Sequence, residues 1–397
     1  MEAAGRGRGG GEFPGWHRVI SMRQEYAGAL RRIGLKAVAL IALTSAGSAA
    51  IVIGGVALRS GSTRPSPDAV VAAGSPGALV LVDDGSSRHE AASGFAVLEG
   101  RVPLHARDRF RVGSITKMFV AVDVLQLVDE HRLRLSDTVE RWLPGLVPGG
   151  GRITVRELLG HMSGLADYAG DAAFVRRTVA QPRRRWTPRE LVRGALAGGP
   201  VARPGERFAY ASTNYVLLGL VVERATGTSL ERQLRRRIFT PLGLRDTSFA
   251  PWPRLRGRYA HGYAPSEHDG IVGSLATARD RSTVTASWAW AAGAIVSTAS
   301  DLSRFLGAVL QGGLLPPRLL ERMRPAPGTR YGLGLAAFRT PCGTAIGHTG
   351  ALLGIVSAAW SSPDGRRRVV AMSNSDPLSP SAETAFRRLL DASFCGT

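Results

Sequence analysis

At 397 residues the chain is long enough for one large domain or two lobes with a substantial core. A hydrophobic content of 44% and a charged content of 21% are those of an ordinary globular protein. The formal net charge of +20 favours an anionic partner such as cell-wall polymers. No basic run is interleaved with aromatic residues and no nucleic-acid-binding module is recognisable, so nucleic acid is excluded as the expected partner.

The first 67 residues are predicted to direct the chain out of the cytoplasm. Residues 1–36 form a flexible basic segment, and residues 37–58 form an uncharged stretch of 22 residues. Such a stretch can span a membrane, and the cations before it favour an N-terminus that stays inside. It is either a signal sequence cleaved near residues 48–50 or a retained anchor. Residues 59–67 are a linker, and the rest is expected to be extracytoplasmic, either secreted or held at the outer face of the membrane.

The following domain, residues 68–397, is predicted to open with a buried strand at 78–85 and a second strand near 93–98. Helical spacing of apolar residues follows over 118–133. Ser114 falls near the start of this helix, where backbone N–H groups and the helix dipole favour a developing anion.

Lys117 is one of only two lysines among the 51 basic residues. Arginine stays protonated at ordinary pH, whereas a desolvated lysine can lose its proton and act as a base. Ser114 lies three residues earlier, on the same face of a helix, so the pair is a candidate activated nucleophile. The alternative is a surface lysine that happens to lie near a serine.

The middle of the chain, residues 131–289, is predicted to be a mainly helical lobe. Apolar residues recur at helical spacing over 154–165, 187–198 and 213–227. Tyr210 opens the last of these segments. A phenol near amine cations can be partly ionised and can shuttle a proton to a leaving group. The alternative for Tyr210 is a half-buried packing residue.

Strand patterns return at 330–338, 352–360 and 367–375, with a hairpin turn at 362–365, and a final helix covers 383–394. Strands at both ends of the domain predict an α/β (α+β) fold with one antiparallel sheet, flanked by helices, in a lobe formed by 68–130 and 290–397. His348, Thr349 and Gly350 lie on a late strand, where a polar ring, a hydroxyl and a glycine let a substrate backbone approach. The alternative is a structural histidine.

The chain has two cysteines, Cys342 and Cys395. In an exported protein they are expected to pair, and the alternative is two unrelated buried thiols. Nothing near either cysteine would activate a thiolate, so neither is a candidate nucleophile.

The order of these motifs resembles one known family. Ser-x-x-Lys at a helix start, Tyr-x-Ser in the middle lobe and His-Thr-Gly on a late strand resemble serine β-lactamases and penicillin-binding proteins, particularly D-alanyl-D-alanine carboxypeptidases and class C β-lactamases. The segments ITVRELLGHMSGLADY, RYGLGL and HTGALLG are also similar to family segments. The cysteine-bearing segments SFCGT and TPCGT resemble the secreted carboxypeptidase branch with its disulfide. The resemblance extends from about residue 70 to the C-terminus.

The resemblance implies a β-lactamase/transpeptidase-like fold and a role for each motif residue. Ser114 would become acylated, Lys117 would take or relay its proton, and Tyr210 would pass a proton to the leaving group. The backbone N–H groups of Ser114 and Ala351 would form the oxyanion hole. His348 and Thr349 would orient a substrate carboxylate and, beside Gly350, tune Lys117 and Tyr210. No metal and no organic cofactor is implied.

Two departures from the family pattern affect the expected specificity. Ser212 stands where the family more usually has asparagine, and Asn214 is a candidate replacement. Residue 351 is alanine, and Arg339 is the nearest candidate cation for a terminal carboxylate. The expected function is an exported D-Ala-D-Ala carboxypeptidase that β-lactams also acylate. The alternatives are an esterase or β-lactamase that uses a related ester or amide, and a membrane-anchored protein that binds penicillin without turnover.

Overall fold

The computed structural model of the protein describes residues 64–253, 255, 257–265 and 278–396. The basic N-terminal segment, the predicted signal sequence or anchor at 37–58 and the first part of the linker lie outside the described residues. Among the helices of the described ranges, none has the length and apolar character needed to cross a membrane. The predicted domain boundaries stay a prediction.

A seven-stranded antiparallel sheet has the strand order β3-β2-β1-β12-β11-β10-β9. Strand β1 pairs directly with β12, so the two ends of the domain form one sheet, as predicted. The strands are β1 Gly77–Asp83, β2 Arg88–Val97, β3 Val102–Pro103, β9 Ala336–Thr340, β10 Gly343–Leu352, β11 Ile355–Ser361 and β12 Arg368–Ser373.

Two smaller sheets lie in the rest of the described chain. One has the order β4-β8-β5 and the other pairs β6 with β7. Their strands are β4 Phe110–Arg111, β5 Ser248–Phe249, β6 Tyr263–Pro265, β7 Ala278–Asp280 and β8 Ile295–Ser297. Strand β4 ends just before Ser114, so the β4-β8-β5 sheet fixes the entry of the chain into the helix that follows.

Helices cover the large sheet and fill the middle of the chain. The helices Ala299–Leu310 and Pro380–Cys395 both contact strand β12. The helices are α1 Asp68–Ala72, α2 Thr116–Asp129, α3 Val139–Trp142, α4 Val155–Leu159, α5 Ala172–Ala180, α6 Pro188–Leu196, α7 Ser212–Thr226, α8 Leu230–Leu234, α9 Ala299–Leu310, α10 Pro317–Met323 and α11 Pro380–Cys395. No helix is predicted where α9 and α10 form, and that part of the prediction is wrong.

Helix α2 lies in the centre of the core. Eleven of its fourteen residues are buried, because α7, α8 and α10 pack around it. A helix that is apolar on all sides is expected in such a position. Lys117 is carried on this helix and is among the largest side chains with no exposed surface. The fold therefore desolvates the amine.

Two predicted elements are shorter than expected, and both differences position the site. The helix predicted over 154–165 ends at Leu159, and His161 follows with a φ of 57° that turns the chain. The strand predicted over 330–338 begins only at Ala336. Gly334 has a φ of 111°, and a Cβ on Gly332 would lie 2.3 Å from the carbonyl oxygen of Arg324. The chain therefore bends before β9.

Candidate active site

Ser114 lies in a single 3₁₀ turn, Gly113–Ile115, that leads directly into α2. Strand β10 packs against this turn with little space between the backbones. A Cβ on Gly113, whose φ is 55°, would lie 2.7 Å from the backbone nitrogen of Ala351. A Cβ on Gly350 would lie 2.0 Å from the carbonyl oxygen of Val112. Two glycines thus bring Ser114 and Ala351, the predicted oxyanion-hole residues, onto segments in direct contact.

The Lys117 amine reaches the Ser114 hydroxyl as predicted. The Lys117 Nζ is 2.9 Å from Ser114 Oγ, and it donates a hydrogen bond of 2.9 Å to the carbonyl oxygen of Ala292. Burial lowers the pKa of Lys117 to about 7, and the Asp167 carboxylate opposes this shift. The amine is thus neutral in a substantial fraction of molecules near neutral pH, as a general base must be.

Tyr210 lies beside this pair, and its phenol is protonated. The Lys117 Nζ is 5.0 Å from the centre of the Tyr210 ring, and Ser114 is a hydrogen-bond partner of the phenol. Burial and the Asp167 charge raise the pKa of Tyr210 above its ordinary value, although the bond with Ser114 opposes the shift. The prediction of a partly ionised phenol is therefore wrong: the chain places a carboxylate and apolar surroundings near Tyr210.

His161 fixes the segment that carries Tyr210. Its ring stacks on the Tyr210 ring with centroids 4.3 Å apart. Its Nδ1 accepts a hydrogen bond of 3.2 Å from the backbone N–H of Ala211. Because a backbone N–H can only donate, this nitrogen carries no proton. His161 is fully buried and acts as a support for Tyr210.

His348 lies on β10, close to Tyr210 and Tyr331, and Thr349 follows it on the same strand. The His348 Nδ1 donates to the carbonyl oxygen of Thr349 at 2.5 Å, and its Nε2 accepts from the Tyr331 hydroxyl at 3.1 Å. Burial, followed by the Lys117 charge, lowers the pKa of His348 to about 3. The imidazole is neutral, so it does not offer a cation to a substrate carboxylate.

The second motif is anchored through Asp167. The backbone N–H of Ser212, at the start of α7, donates to Asp167 Oδ1 at 3.0 Å. The Ser212 hydroxyl is half-buried and makes no hydrogen bond among the described residues. Asn214 does not replace the usual asparagine: it is fully buried, and its amide contacts Ser163 Oγ at 2.5 Å and the His161 ring at 3.1 Å. That candidate role is wrong.

Arg339, the candidate cation for a carboxylate, lies away from the site. On β9 it is the register partner of Thr344, four residues before His348 on β10. At roughly 3.3 Å per residue this places it about 13 Å along the strand from His348. Its side chain is exposed at that end of the sheet.

Cys342 and Cys395 form a disulfide with an S–S distance of 2.09 Å, as predicted. The bridge joins the turn before β10 to the end of α11. It therefore ties the C-terminal helix to the strand that carries His348 and Thr349.

Sequence reasoning missed four contributors to the site: His161, Asp167, Ala292 and Tyr331. His161 and Asp167 lie within HMSGLAD, and Tyr331 lies within RYGLGL, so a family-like segment marked three of them. Ala292 acts through its backbone carbonyl and leaves no residue-type signal. Among the described residues, no group of three or more His, Cys, Asp or Glu side chains is arranged to hold a metal ion.

The assembled groups are those of an acyl-transfer site. They comprise a hydroxyl at a helix start, an amine in contact with it that is partly neutral near pH 7, a protonated phenol, and two closely packed segments that carry the backbone N–H groups of Ser114 and Ala351. Such a set can attack a carbonyl carbon, stabilise the resulting oxyanion and protonate a leaving nitrogen or oxygen.

Comparisons with known proteins agree with this chemistry. Penicillin-binding protein 4* of Bacillus subtilis (strain 168) is 27% identical over 76% of this chain and 68% of its own length. Penicillin-binding protein 4 of Amycolatopsis lactamdurans is 32% identical over 61% of each chain, so this chain spans less than two thirds of that relative. The solved structure of a D-stereospecific amidohydrolase from Streptomyces sp. is 36% identical, covering 83% of this chain and 96% of that one with a TM-score of 0.74.

The similarity to that structure confirms the predicted β-lactamase/transpeptidase-like fold. The profile of the beta-lactamase family matches residues 67–394, which is most of the chain. The Ser114, Lys117, Tyr210 and His348 motifs all lie within that match. This chain therefore belongs to the beta-lactamase family of serine hydrolases.

Proposed function

We propose that this protein forms an acyl-enzyme on Ser114 and cleaves amide, peptide or ester bonds next to a D-configured residue. The observation that carries the proposal is the 2.9 Å contact between Ser114 Oγ and the buried amine of Lys117, whose pKa is about 7. A serine in contact with a neutral amine is an activated nucleophile, whereas the ordinary lysine pKa would leave the amine protonated.

In acylation, the Ser114 hydroxyl passes its proton to the Lys117 amine while Oγ attacks the substrate carbonyl carbon. The carbonyl π electrons move to the oxygen, and the N–H groups of Ser114 and Ala351 hydrogen-bond to that oxyanion. Removing one such donor typically costs 10²- to 10³-fold in kcat in other enzymes. The tight packing of Gly113 on Ala351 supports this role, because it fixes the two segments relative to each other.

Collapse of the tetrahedral intermediate breaks the bond between carbon and the leaving nitrogen or oxygen, which needs a proton. Tyr210 supplies it and is reprotonated by the Lys117 ammonium, whose Nζ lies 5.0 Å from the centre of the Tyr210 ring. The raised pKa of Tyr210 keeps the phenol protonated until the leaving group departs. Water then attacks the acyl-enzyme by the same steps in reverse, with Lys117 as the base, and releases the acid.

The neutral state of His348 bears on substrate choice. A strict carboxypeptidase must hold the free carboxylate of its substrate, for which a fixed cation is favourable. Here His348 is neutral and Arg339 lies far along β9, which favours substrates whose C-terminal side is an amide or ester. The preference for D-configured residues is supported by the similarity to the Streptomyces D-stereospecific amidohydrolase.

The second candidate is the D-Ala-D-Ala carboxypeptidase expected from the sequence motifs. The Cys342–Cys395 disulfide favours it, since that bridge is the feature that resembles the secreted carboxypeptidases. The penicillin-binding relatives also support acylation by β-lactams.

Both candidates are tested by incubating the full chain with D-phenylalanine amide, its L-enantiomer, a D-Ala-D-Ala peptide, a short acyl ester and benzylpenicillin. Product release and the intact protein mass are followed for wild type and Ser114→Ala. We expect cleavage of the D-amide with little cleavage of the L-amide, and one penicillin adduct on Ser114. Faster cleavage of the D-Ala-D-Ala peptide would select the carboxypeptidase, and ester cleavage alone the esterase. Labelling of the Ser114→Ala variant would contradict the assignment of the nucleophile.

We further propose that the enzyme acts outside the cytoplasm, where peptides with D-residues and anionic cell-wall polymers occur. The disulfide supports this location, because such bonds persist mainly in oxidising compartments. Cleavage of the domain by protease added to intact cells is the expected result. Protection from protease until the cells are lysed would contradict the proposal, and sequencing of the mature N-terminus would separate a cleaved signal from a membrane anchor.

A further inference from the structure

A segment beside the catalytic cleft carries an excess of arginine. Residues 171–199, which include α5 and α6, contain seven arginines and only two carboxylates, Asp171 and Glu190. Six of the seven side chains are exposed and Arg184 is half-buried. We call the seven the arginine surface: Arg176, Arg177, Arg183, Arg184, Arg185, Arg189 and Arg193.

Both carboxylates of this segment accept hydrogen bonds from backbone N–H groups. Asp171 caps α5 by accepting from the N–H of Phe174, and Glu190 closes the capping box of α6 with Thr187. Glu190 also contacts Arg184 at 3.3 Å. Arg184 is the one member of the arginine surface with an ion pair among the described residues. The segment therefore keeps a local charge of about +5 facing solvent.

Two guanidinium groups of the arginine surface are held in place by indole rings. Arg184 lies 4.0 Å from the centre of the Trp186 ring, and Arg185 lies 4.9 Å from that of Trp252, which is 48% exposed. The buried Arg111 holds Trp252 in turn, since its guanidinium donates to the carbonyl oxygens of Ala250 and Trp252 at 3.0 and 2.7 Å. A guanidinium stacked on an aromatic ring keeps its N–H edge free to bind an oxyanion bidentately.

Two other arginine runs occur in the chain, at residues 235–237 and 366–368. In the run at 366–368 every arginine makes a contact within the fold. Arg368 pairs with Asp83 at 2.7 Å and donates to Gly365 and Ser303. Arg367 donates to the carbonyl oxygen of Ser393, and Arg366 lies near Asp364. Every member of that run has a partner within the fold. Among the described residues, Arg183 has no hydrogen-bond or ion-pair partner, and Arg185 stacks on the Trp252 ring with no acidic partner.

We propose that the arginine surface is a binding site for a linear phosphodiester polyanion that carries no bases. Planar guanidinium groups recognise phosphate oxygens in pairs, and several of them along one segment match a repeating anion. Single-stranded nucleic acid is the weaker fit, because it is usually held by open aromatic faces. Here Trp186 is buried, and guanidinium groups cover a face of both indoles.

The arginine surface is connected to the catalytic cleft by one loop. The backbone N–H of Trp186 donates to Ser287 Oγ, and that of Thr285 donates to the carbonyl oxygen of Pro182. The same loop continues to Ala292, whose carbonyl binds Lys117. A polymer bound at the arginine surface would therefore hold the catalytic site close to it without entering the cleft.

The test measures binding of the full chain to poly(glycerol phosphate) of defined length across salt concentrations. The site variant is Arg183→Gln, Arg185→Gln and Arg189→Gln together. The control variant, Arg232→Gln, Arg236→Gln and Arg245→Gln, removes the same charge from exposed positions elsewhere. Each phosphate contact contributes about 0.7 to 0.9 to the slope of log K against log salt, so the site variant should lower the slope by roughly 2. The control variant should leave this slope unchanged.

The Trp252→Ala variant tests the binding site independently. It removes the ring beneath Arg185 without removing charge, so binding should weaken about two- to fivefold at an unchanged slope. Hydrolysis of a small substrate should be unchanged in all variants, since none of these residues touches the catalytic groups. Equal slopes for the site and control variants would overturn the proposal, because binding would then follow net charge alone. Binding of an oligonucleotide or of phosphatidylglycerol vesicles more than about tenfold tighter than the polymer, at equal charge, would also overturn it.

Discussion

The Lys117 amine lies 2.9 Å from the carbonyl oxygen of Ala292 and at the same distance from Ser114 Oγ. A neutral amine can satisfy both partners, because one N–H donates to the carbonyl while the lone pair accepts the serine proton. An ammonium or a guanidinium has no lone pair to offer. The chain uses arginine for nearly all its other cations, so a lysine at position 117 agrees with a role that arginine cannot fill.

Lys117→Arg keeps the charge and removes the base. We expect kcat/KM for a D-amide to fall at least about 10³-fold, as when other catalytic units lose a member. The acylation rate is measured with benzylpenicillin, and thermal unfolding shows whether the larger side chain fits. Lys117→Met, which fills similar space without a base, is the matched control and should be equally inactive. An arginine variant within tenfold of wild type would show that Lys117 is only structural.

The pH dependence of acylation should report the Lys117 amine. Because Lys117 must be unprotonated and its pKa is about 7, kcat/KM should fall about tenfold per unit as pH drops below 7. Asp167→Asn removes the charge that raises this pKa, so the midpoint should move to lower pH. His348 titrates near 3 and should add no step between pH 5 and 9.

The Asp167→Asn side chain keeps an acceptor for the Ser212 N–H, so a loss of folding is separable from the pH shift. A midpoint that stays in place, or moves upward, would contradict the electrostatic role of Asp167.

Gly350→Ala should damage both stability and acylation. The new Cβ would meet the Val112 carbonyl oxygen and Ser357 Oγ, and would push β10 away from the Ser114 turn. Overpacking of this kind costs about 1 to 3 kcal/mol. Gly151→Ala is the control, since nothing lies within 4 Å of its added Cβ. Thermal unfolding and penicillin acylation are compared. Equal stability and equal acylation of the two variants would mean that β10 can shift to accommodate the added Cβ.

Asp123 should make the protein less stable as pH rises from about 4 to 7. Burial raises the pKa of this carboxyl from 3.8 to about 7, although Arg237, 3.3 Å away, opposes the shift. Between these values the folded state keeps a proton that the unfolded state releases. The free energy of unfolding therefore falls with rising pH, by up to about 1.4 kcal/mol per unit.

Asp123→Asn should flatten this dependence, measured as urea midpoints at pH 5, 6, 7 and 8. The exposed Glu321→Gln variant is the control and should follow wild type. Parallel curves for Asp123→Asn and wild type would show that another group sets the slope.

Residue spacing alone located the Ser114–Lys117 pair, whose members lie close along the chain, whereas Tyr210 and His348 were located through the order of the family-like motifs. Ser114 and Lys117 share one helical turn, and the strand patterns at both ends required a common sheet. The protonation states were beyond reach, because they depend on burial by distant segments. Burial and the Lys117 charge lower the pKa of His348, so its ring is neutral. Burial and the Asp167 carboxylate, which comes from another loop, raise the pKa of Tyr210, so its phenol is protonated.

The missed elements have local causes. Helix α9 begins with Thr298 accepting from the N–H of Asp301, a helix-start signal that was present in the sequence. By contrast, the early end of α4 is followed by the left-handed conformation of His161, which histidine adopts more often than most residues but still uncommonly. That conformation is also what places the ring of His161 on Tyr210.

Phe208 should set the preference for the substrate side chain. Its ring is 40% exposed, and its centroid lies 5.9 Å from His161 and 5.7 Å from Tyr331, at the edge of the catalytic group. An exposed aromatic face there offers an apolar substrate side chain about 1 to 1.5 kcal/mol of contact, or roughly tenfold in KM. Phe208→Ala should raise KM for D-phenylalanine amide by that factor, leave kcat unchanged and barely affect D-alanine amide.

Val201→Ala, at an apolar residue of similar exposure, is the control. Because loss of ring packing alone would lower kcat for both substrates alike, an equal effect on the two amides would remove Phe208 from the substrate contact.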